Sequence, residues 1–129
     1  MKTEELPRPT DAELAILRVL WQLGPCTVRQ VHDQLAGTQT TGYTTVLKLM
    51  QIMTDKGLVT RDETDRAHVY SPRISEQKTQ RQLIGDLLER AFDGNSSKLV
   101  MQALSSRRAS PQDLAAIRQL LDQIEGGAL

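Results

Sequence analysis

Residues 41–59, TGYTTVLKLMQIMTDKGLV, constrain this chain more than any other stretch. Val46, Leu49, Met50 and Met53 recur at i, i+3, i+4 and i+7, the spacing of one inward-facing stripe on an α-helix. Thr44, Thr45, Lys48 and Gln51 fall on the other side and offer hydroxyls, an ammonium and an amide. Lys56-Gly57 is a stop signal, a cation in the last turn followed by a residue free to take positive φ. A helix that is apolar behind and lined in front with short hydrogen-bonding groups suits the major groove of DNA. A surface helix of any all-α domain has the same two faces, so this segment alone leaves both readings open.

The flanking sequence narrows the choice. Thr10-Asp11-Ala12-Glu13 matches a capping box, in which the hydroxyl and the carboxylate satisfy free amide donors of a first turn. The helix it opens runs to about Leu23, with Leu14, Leu17 and Trp21 on one apolar edge and Ile16, Leu20 and Leu23 on another. So wide an arc predicts cover on two sides. Gly24-Pro25 ends it. Thr27-Val28-Arg29-Gln30 is a second capping box, opening a short helix to about Ala36 with Val28, Val31 and Leu35 inward and Gly37 as its stop. After Gly57 the pattern changes to alternation. Leu58–Arg61 reads as a strand, 62–66 as a polar turn, and Ala67–Tyr70 as a returning strand closed by Ser71-Pro72. Three helices followed by a hairpin is the order of a winged helix-turn-helix. In that arrangement the third helix enters the major groove and the hairpin tip lies against the backbone.

From Ser75 the chain returns to helix. Leu83, Ile84, Leu87, Leu88 and Ala91 form one stripe, ended by Asp93-Gly94-Asn95. Leu99, Val100, Ala103 and Leu104 form a shorter one. Ser110-Pro111 starts a last helix, with proline at its first position, and Leu114, Ile117, Leu121 and Ile124 line it. Stripes this narrow suit a helix–helix seam. Three helices this short cannot bury all their apolar faces within one chain, so we expect pairing with a second copy through Leu83, Leu87, Leu88, Leu99, Leu114, Ile117, Leu121 and Ile124. The alternative is that they fold back on Trp21 and Leu20. The expected fold is mostly α with a small β-hairpin, a winged helix-turn-helix over 1–74 and a C-terminal helical dimerisation domain over 75–129.

Composition sets the outer bounds. The 129 residues are 39% hydrophobic but only 3% aromatic, so the core must be built from Leu, Val, Ile, Ala and Met. No apolar run reaches the ~20 residues that span a bilayer, and the N-terminus lacks the apolar stretch of a secretory signal; a cytoplasmic location is expected. Cys26, the single cysteine, follows Pro25 in a helix–helix turn and reads as a structural thiol. His32 and His68 show no metal-ligand spacing. Formal net charge is zero, which argues against a strongly electrostatic nucleic-acid binder, because phosphate neutralisation supplies most non-specific affinity. A neutral chain can still bind DNA if its cations share one face and two copies act together.

With these elements in place, the chain resembles the penicillinase-repressor family of winged-helix transcriptional regulators. The matching segments are PTDAELAILRVLW, TVRQVHDQL, YTTVLKLMQIMTDKGLV and RAHVYSP; YTTV followed by KGLV at this spacing is the strongest. The resemblance covers essentially the whole chain. It implies a homodimer that sits on a palindromic operator in double-stranded DNA and blocks transcription. Thr44, Thr45 and Lys48 match the groove-facing positions of the family's recognition helix. Threonine can bond a base edge and touch a thymine methyl, and Lys48 can reach a guanine or a phosphate. Tyr43 begins that helix, where its hydroxyl can meet a phosphate or its ring can simply pack. Arg66 and His68 sit at the wing tip, consistent with backbone contacts. Thr27 and Arg29 begin the second helix, where free amides and a cation favour a phosphate, although Arg29 reads nearly as well as a solvated arginine.

Two departures from the family pattern stand out. Copper-responsive members carry cysteine pairs in the tail, and this chain has none. Members that control β-lactamase genes are cut by a membrane-bound sensor protease at an Asn-Phe bond in the tail. The matching position here is Gln102-Ala103, so a protease acting there would need a different preference. Two further functions compete with repression. A winged helix used only for protein–protein interaction is favoured by the zero net charge and by Leu47 beside the groove face. An enzyme would need a metal cluster, a glycine-rich phosphate loop or a nucleophile beside a base. The sequence has no such pattern, and none that points to a cofactor or a small-molecule ligand.

Overall fold

The computed structural model describes residues 6–38 and 40–127. The element order is α1 (Asp11–Leu23), α2 (Val28–Ala36), α3 (Tyr43–Lys56), β1 (Val59–Asp62), β2 (Val69–Pro72), α4 (Glu76–Phe92), α5 (Ser96–Ser106) and α6 (Pro111–Glu125). The chain divides into two compact units, one ending at Ile84 and one beginning at Gly85, so the division falls inside α4. No helix among the described residues is long and apolar enough to cross a membrane.

The first unit is a winged helix-turn-helix. Both capping boxes form: the Thr10 hydroxyl accepts from the Glu13 amide at 3.2 Å while Glu13 accepts from the Thr10 amide at 2.8 Å, and Thr27 and Gln30 repeat the exchange. These caps fix where α1 and α2 begin. At the other end of α3, Gly57 adopts φ 84°, and the Leu58 amide reaches back to the Met53 carbonyl at 2.9 Å. A Cβ at Gly57 would meet only the mobile end of Arg73, at Nη1, so it is the left-handed turn that demands glycine.

Behind these elements lies one continuous core. Ile16, Leu17 and Leu20 of α1, Val31 and Leu35 of α2, Val46, Met50 and Met53 of α3, and Leu58, Val59 and Tyr70 of the hairpin are all buried. The α3 stripe points inward as its spacing requires, with Leu49 partly buried against the same cluster. Each such side chain contributes about 1.5–3 kcal/mol by leaving water. Leu23, expected on the apolar arc of α1, is instead exposed at the last position of the helix.

The hairpin pairs β1 and β2 antiparallel, with Val59 opposite Pro72 and Asp62 opposite Val69. Both strands sit slightly later in sequence than alternation predicts. Leu58 is spent on closing α3, and Ser71 and Pro72 extend β2 rather than end it. Pro72 is tolerable at this strand end. A third edge comes from the α1–α2 turn: Cys26 and Tyr70 exchange backbone hydrogen bonds of 3.0 and 2.8 Å. Cys26 is buried in this bridge, and burial pushes its thiol pKa above the ordinary value.

The second unit has the expected helices and almost no interior. Asn95 and Ser110 cap α5 and α6 through their side chains, and Pro111 opens α6. Neither helix contains a buried residue. Met101 is 68% exposed, Leu121 52% and Ile124 55%.

Candidate nucleic-acid interface

Three elements of the first unit converge on one hollow of ≈230 Å³. The start of α2 contributes Thr27, Val28 and Arg29, α3 contributes Tyr43 and Leu47, and the hairpin contributes Arg66, Ala67, His68 and Tyr70. Five of the eight residues singled out from sequence (Thr27, Arg29, Tyr43, Arg66 and His68) therefore share one surface, although 41 positions separate the first from the last in the chain.

Tyr43 organises it. Its ring is 43% exposed, meets His32 edge-on at 6.0 Å and 72°, and has the Arg29 guanidinium 5.7 Å from its centroid. The ring thus both packs and presents, and the cation over its face holds Arg29 at the mouth of the hollow.

The other three predicted residues, Thr44, Thr45 and Lys48, lie outside the hollow and are exposed on α3. Thr44, Lys48 and Gln51 follow i, i+4 and i+7 and form one row. Thr45 falls a step round the helix, beside the exposed Ile52. The face of α3 opposite the core is therefore polar through its first half.

The aim of α3 is fixed from its far end. Lys56 Nζ donates to Glu13 Oε1 at 2.6 Å and to the Arg8 carbonyl at 3.1 Å, tying the last turn of α3 to the first turn of α1. Glu13 is only 2% exposed. Burial pushes its carboxyl pKa up, but the Lys56 ammonium and the Thr10 donors outweigh that and leave it below the ordinary value. The Trp21 indole N–H donates to the Ile74 carbonyl at 3.0 Å, which anchors the chain leaving β2. Sequence reasoning read Glu13 as a cap and Lys56 as a helix stop; their union across 43 positions left no local signal.

Arg61 also escaped notice. It lies on β1 opposite Tyr70, and the Tyr70 hydroxyl and the Glu63 carboxylate both favour its charged form. At the wing tip Asp62 closes the turn, accepting from the Thr64 amide at 2.9 Å and hydroxyl at 2.5 Å; those bonds hold its pKa below the ordinary value.

The candidate cleavage residues Gln102 and Ala103 lie within α5 and are exposed. Among the dimerisation residues expected from sequence, Leu87, Leu121 and Ile124 are exposed, while Leu83, Leu88, Leu99, Leu114 and Ile117 are partly buried.

Residues 9–123 match the family model described as penicillinase repressor. The transcriptional regulator BlaI of Mycobacterium tuberculosis (strain ATCC 25618 / H37Rv) is 33% identical over 124 residues, covering 95% of this chain and 89% of that protein. The penicillinase repressor of Bacillus licheniformis is 23% identical over 120 residues, covering 93% and 94%. A solution structure of the DNA-binding domain of the repressor BlaI superposes with a TM-score of 0.51 at 27% identity, over 57% of this chain and 90% of that one. The Bacillus licheniformis BlaI monomeric form in complex with the blaP half-operator gives 0.51 at 27% identity, over 58% and 92%.

Proposed function

This chain belongs to the penicillinase repressor family, and from that premise we propose that it is a sequence-specific transcriptional repressor that binds a palindromic operator as a homodimer in the cytoplasm. The observation that carries the reading is the convergence of Thr27, Arg29, Tyr43, Arg66 and His68 around one hollow, next to the exposed row of Thr44, Lys48 and Gln51 on α3.

In this mechanism residues 1–74 read a half-site. Thr44, Thr45 and Lys48 enter the major groove, while Arg29, Tyr43 and Thr27 at the helix starts and Arg66 and His68 on the wing engage phosphates. Residues 75–129 clasp a second copy and set the spacing of the half-sites, about one helical turn or a multiple of it. The absence of buried residues in α5 and α6 supports the clasp. Two linked weak sites bind far more tightly than separate ones, which accommodates the zero net charge. Opening the tail would then release the operator. A membrane-bound sensor protease acting near Gln102 and Ala103 is one route, and local unwinding of α5 is its requirement, since both residues are helical.

The test is selection of genomic fragments by the purified protein, followed by titration. The expected result is a palindromic operator bound by the dimer. Lys48→Ala and Arg66→Ala each weaken it, and the log-affinity versus log-salt slope flattens by about one unit per lost phosphate contact. Failure to select any palindrome, with both variants binding as the parent does, overturns the reading and leaves the wing to protein–protein interaction.

A further inference from the structure

The wing carries an acid that faces two nitrogen-bearing side chains at once. Segment 61–68 holds Asp62, Glu63 and Asp65 among Arg61, Arg66 and His68. Asp62 is consumed by the turn through Thr64. Glu63 does something different. Its two carboxylate oxygens face two cationic or protonatable groups of the opposite strand ends, Oε2 lying 3.6 Å from Arg61 Nη2 and Oε1 lying 3.8 Å from His68 Nε2. Its side chain is 58% exposed, so the pairing contributes little to stability and is open to exchange.

A phosphate shares the two features that hold Glu63 there: negative charge and paired acceptor oxygens. We propose that Glu63 is a built-in competitor of DNA, occupying Arg61 and His68 in the free protein and yielding them to a backbone phosphate on binding. The proposal rests on the wing contacting DNA, as above, and adds two residues to that contact: Arg61 as a phosphate ligand and Glu63 as the group that lowers its availability. Arg61 is suited to the part, because its backbone is fixed opposite Tyr70 in the ladder while its side chain remains 30% exposed. The consequence is weak intrinsic binding by a single half-site, so that occupancy depends on two copies acting together.

The experiment uses the full chain, with the selected operator fragment and a scrambled duplex of the same length as probes. Glu63→Gln keeps the shape and removes the charge. Binding to both probes should tighten by about three- to tenfold, and the salt slope should steepen by up to about one unit, because in the parent the carboxylate released from Arg61 takes up part of the cation that the phosphate gives up. Arg61→Ala should abolish that gain when combined with Glu63→Gln. Asp65→Asn changes net charge equally without touching Arg61 or His68 in the observed contacts and should give a smaller gain with an unchanged slope. Equal gains from Glu63→Gln and Asp65→Asn, or a Glu63→Gln gain that survives loss of Arg61, would overturn the proposal. Unchanged binding in Glu63→Gln, where Lys48→Ala and Arg66→Ala still weaken it, would do so while leaving the repressor reading intact. If Glu63→Gln, Lys48→Ala and Arg66→Ala all leave binding unchanged, the repressor reading itself fails.

Discussion

The two units of this chain are built from similar helices and end in opposite states. In the first, α1, α2, α3 and the hairpin each surrender an apolar face to one core, and residues such as Ile16, Val31, Val46, Met50 and Met53 are wholly enclosed. In the second, α5 and α6 each start on a side-chain cap, Asn95 and Ser110, yet neither buries a residue. Caps and propensity define a helix; they do not give it a partner. The first unit carries its partners in its own sequence, and the second leaves apolar side chains such as Met101, Leu121 and Ile124 exposed.

The strongest way to break this contrast is to separate the units. Truncation after Ile84 keeps every residue of the described core and the buried Thr79 of α4. The truncated protein should still melt cooperatively but sediment as a monomer. Its operator affinity should fall by about 10²–10⁴, the advantage that linking two sites provides. Equal affinity in matched titrations of the truncated and full-length proteins would show that the tail contributes nothing to binding.

Point substitutions sharpen the same contrast. Leu17→Ala removes a side chain enclosed by the first unit and should cost about 2–5 kcal/mol, at any protein concentration. Leu121→Ala or Ile124→Ala removes a side chain exposed within its own chain. Its cost should fall on association instead, so that the melting temperature drops at high dilution and recovers as concentration rises. Denaturant melts over a concentration series separate the two behaviours. A concentration-independent loss in the α6 variants would mean that those residues stabilise the single chain.

The elements that were legible in the sequence are those whose causes are local. The Thr10/Glu13 and Thr27/Gln30 boxes, the Gly57 stop and the Ser110-Pro111 start each act within a few residues, and each formed where expected. The inward stripe of α3 was equally plain. The strand limits shifted because the Cys26–Tyr70 bridge and the Leu58 closure of α3 set the register, and both depend on which segments meet in space. The hollow was legible only as separate candidates: residue types suggested Arg29, Tyr43, Arg66 and His68, but nothing in the spacing foretold that Arg29 would lie over the Tyr43 ring. Arg61 passed unremarked because a strand arginine beside a polar turn has no distinctive pattern. The contact that brings His68 to the same Glu63 carboxylate arises only when the hairpin closes.

The Glu13–Lys56 pair offers the finest test, because it joins a cap to the aim of α3. Glu13→Gln preserves the capping geometry and removes the charge facing Lys56. It should cost about 1.5–3 kcal/mol at neutral pH, the range for a hydrogen bond to a charged group. Lys56 remains a third exposed, which keeps the cost below that of breaking a fully buried pair. The pH dependence has a definite sign. Although burial opposes ionisation, Lys56 and Thr10 hold the folded carboxyl below its ordinary pKa of 4.5, so folding favours the ionised form. The stabilisation is complete above the unfolded pKa and disappears as pH falls through the lower folded value. Thermal melts of parent and Glu13→Gln should therefore differ most near neutrality and converge as the solution is acidified below about pH 4.5. A gap that stays constant into acid would mean that the carboxylate charge is not what ties α3 to α1. The operator affinity of the same variant at neutral pH then reports whether the far end of the helix controls the aim of Thr44 and Lys48. A loss of affinity with the fold intact is the expected result, and parent-like binding would place the control of that aim elsewhere in the core.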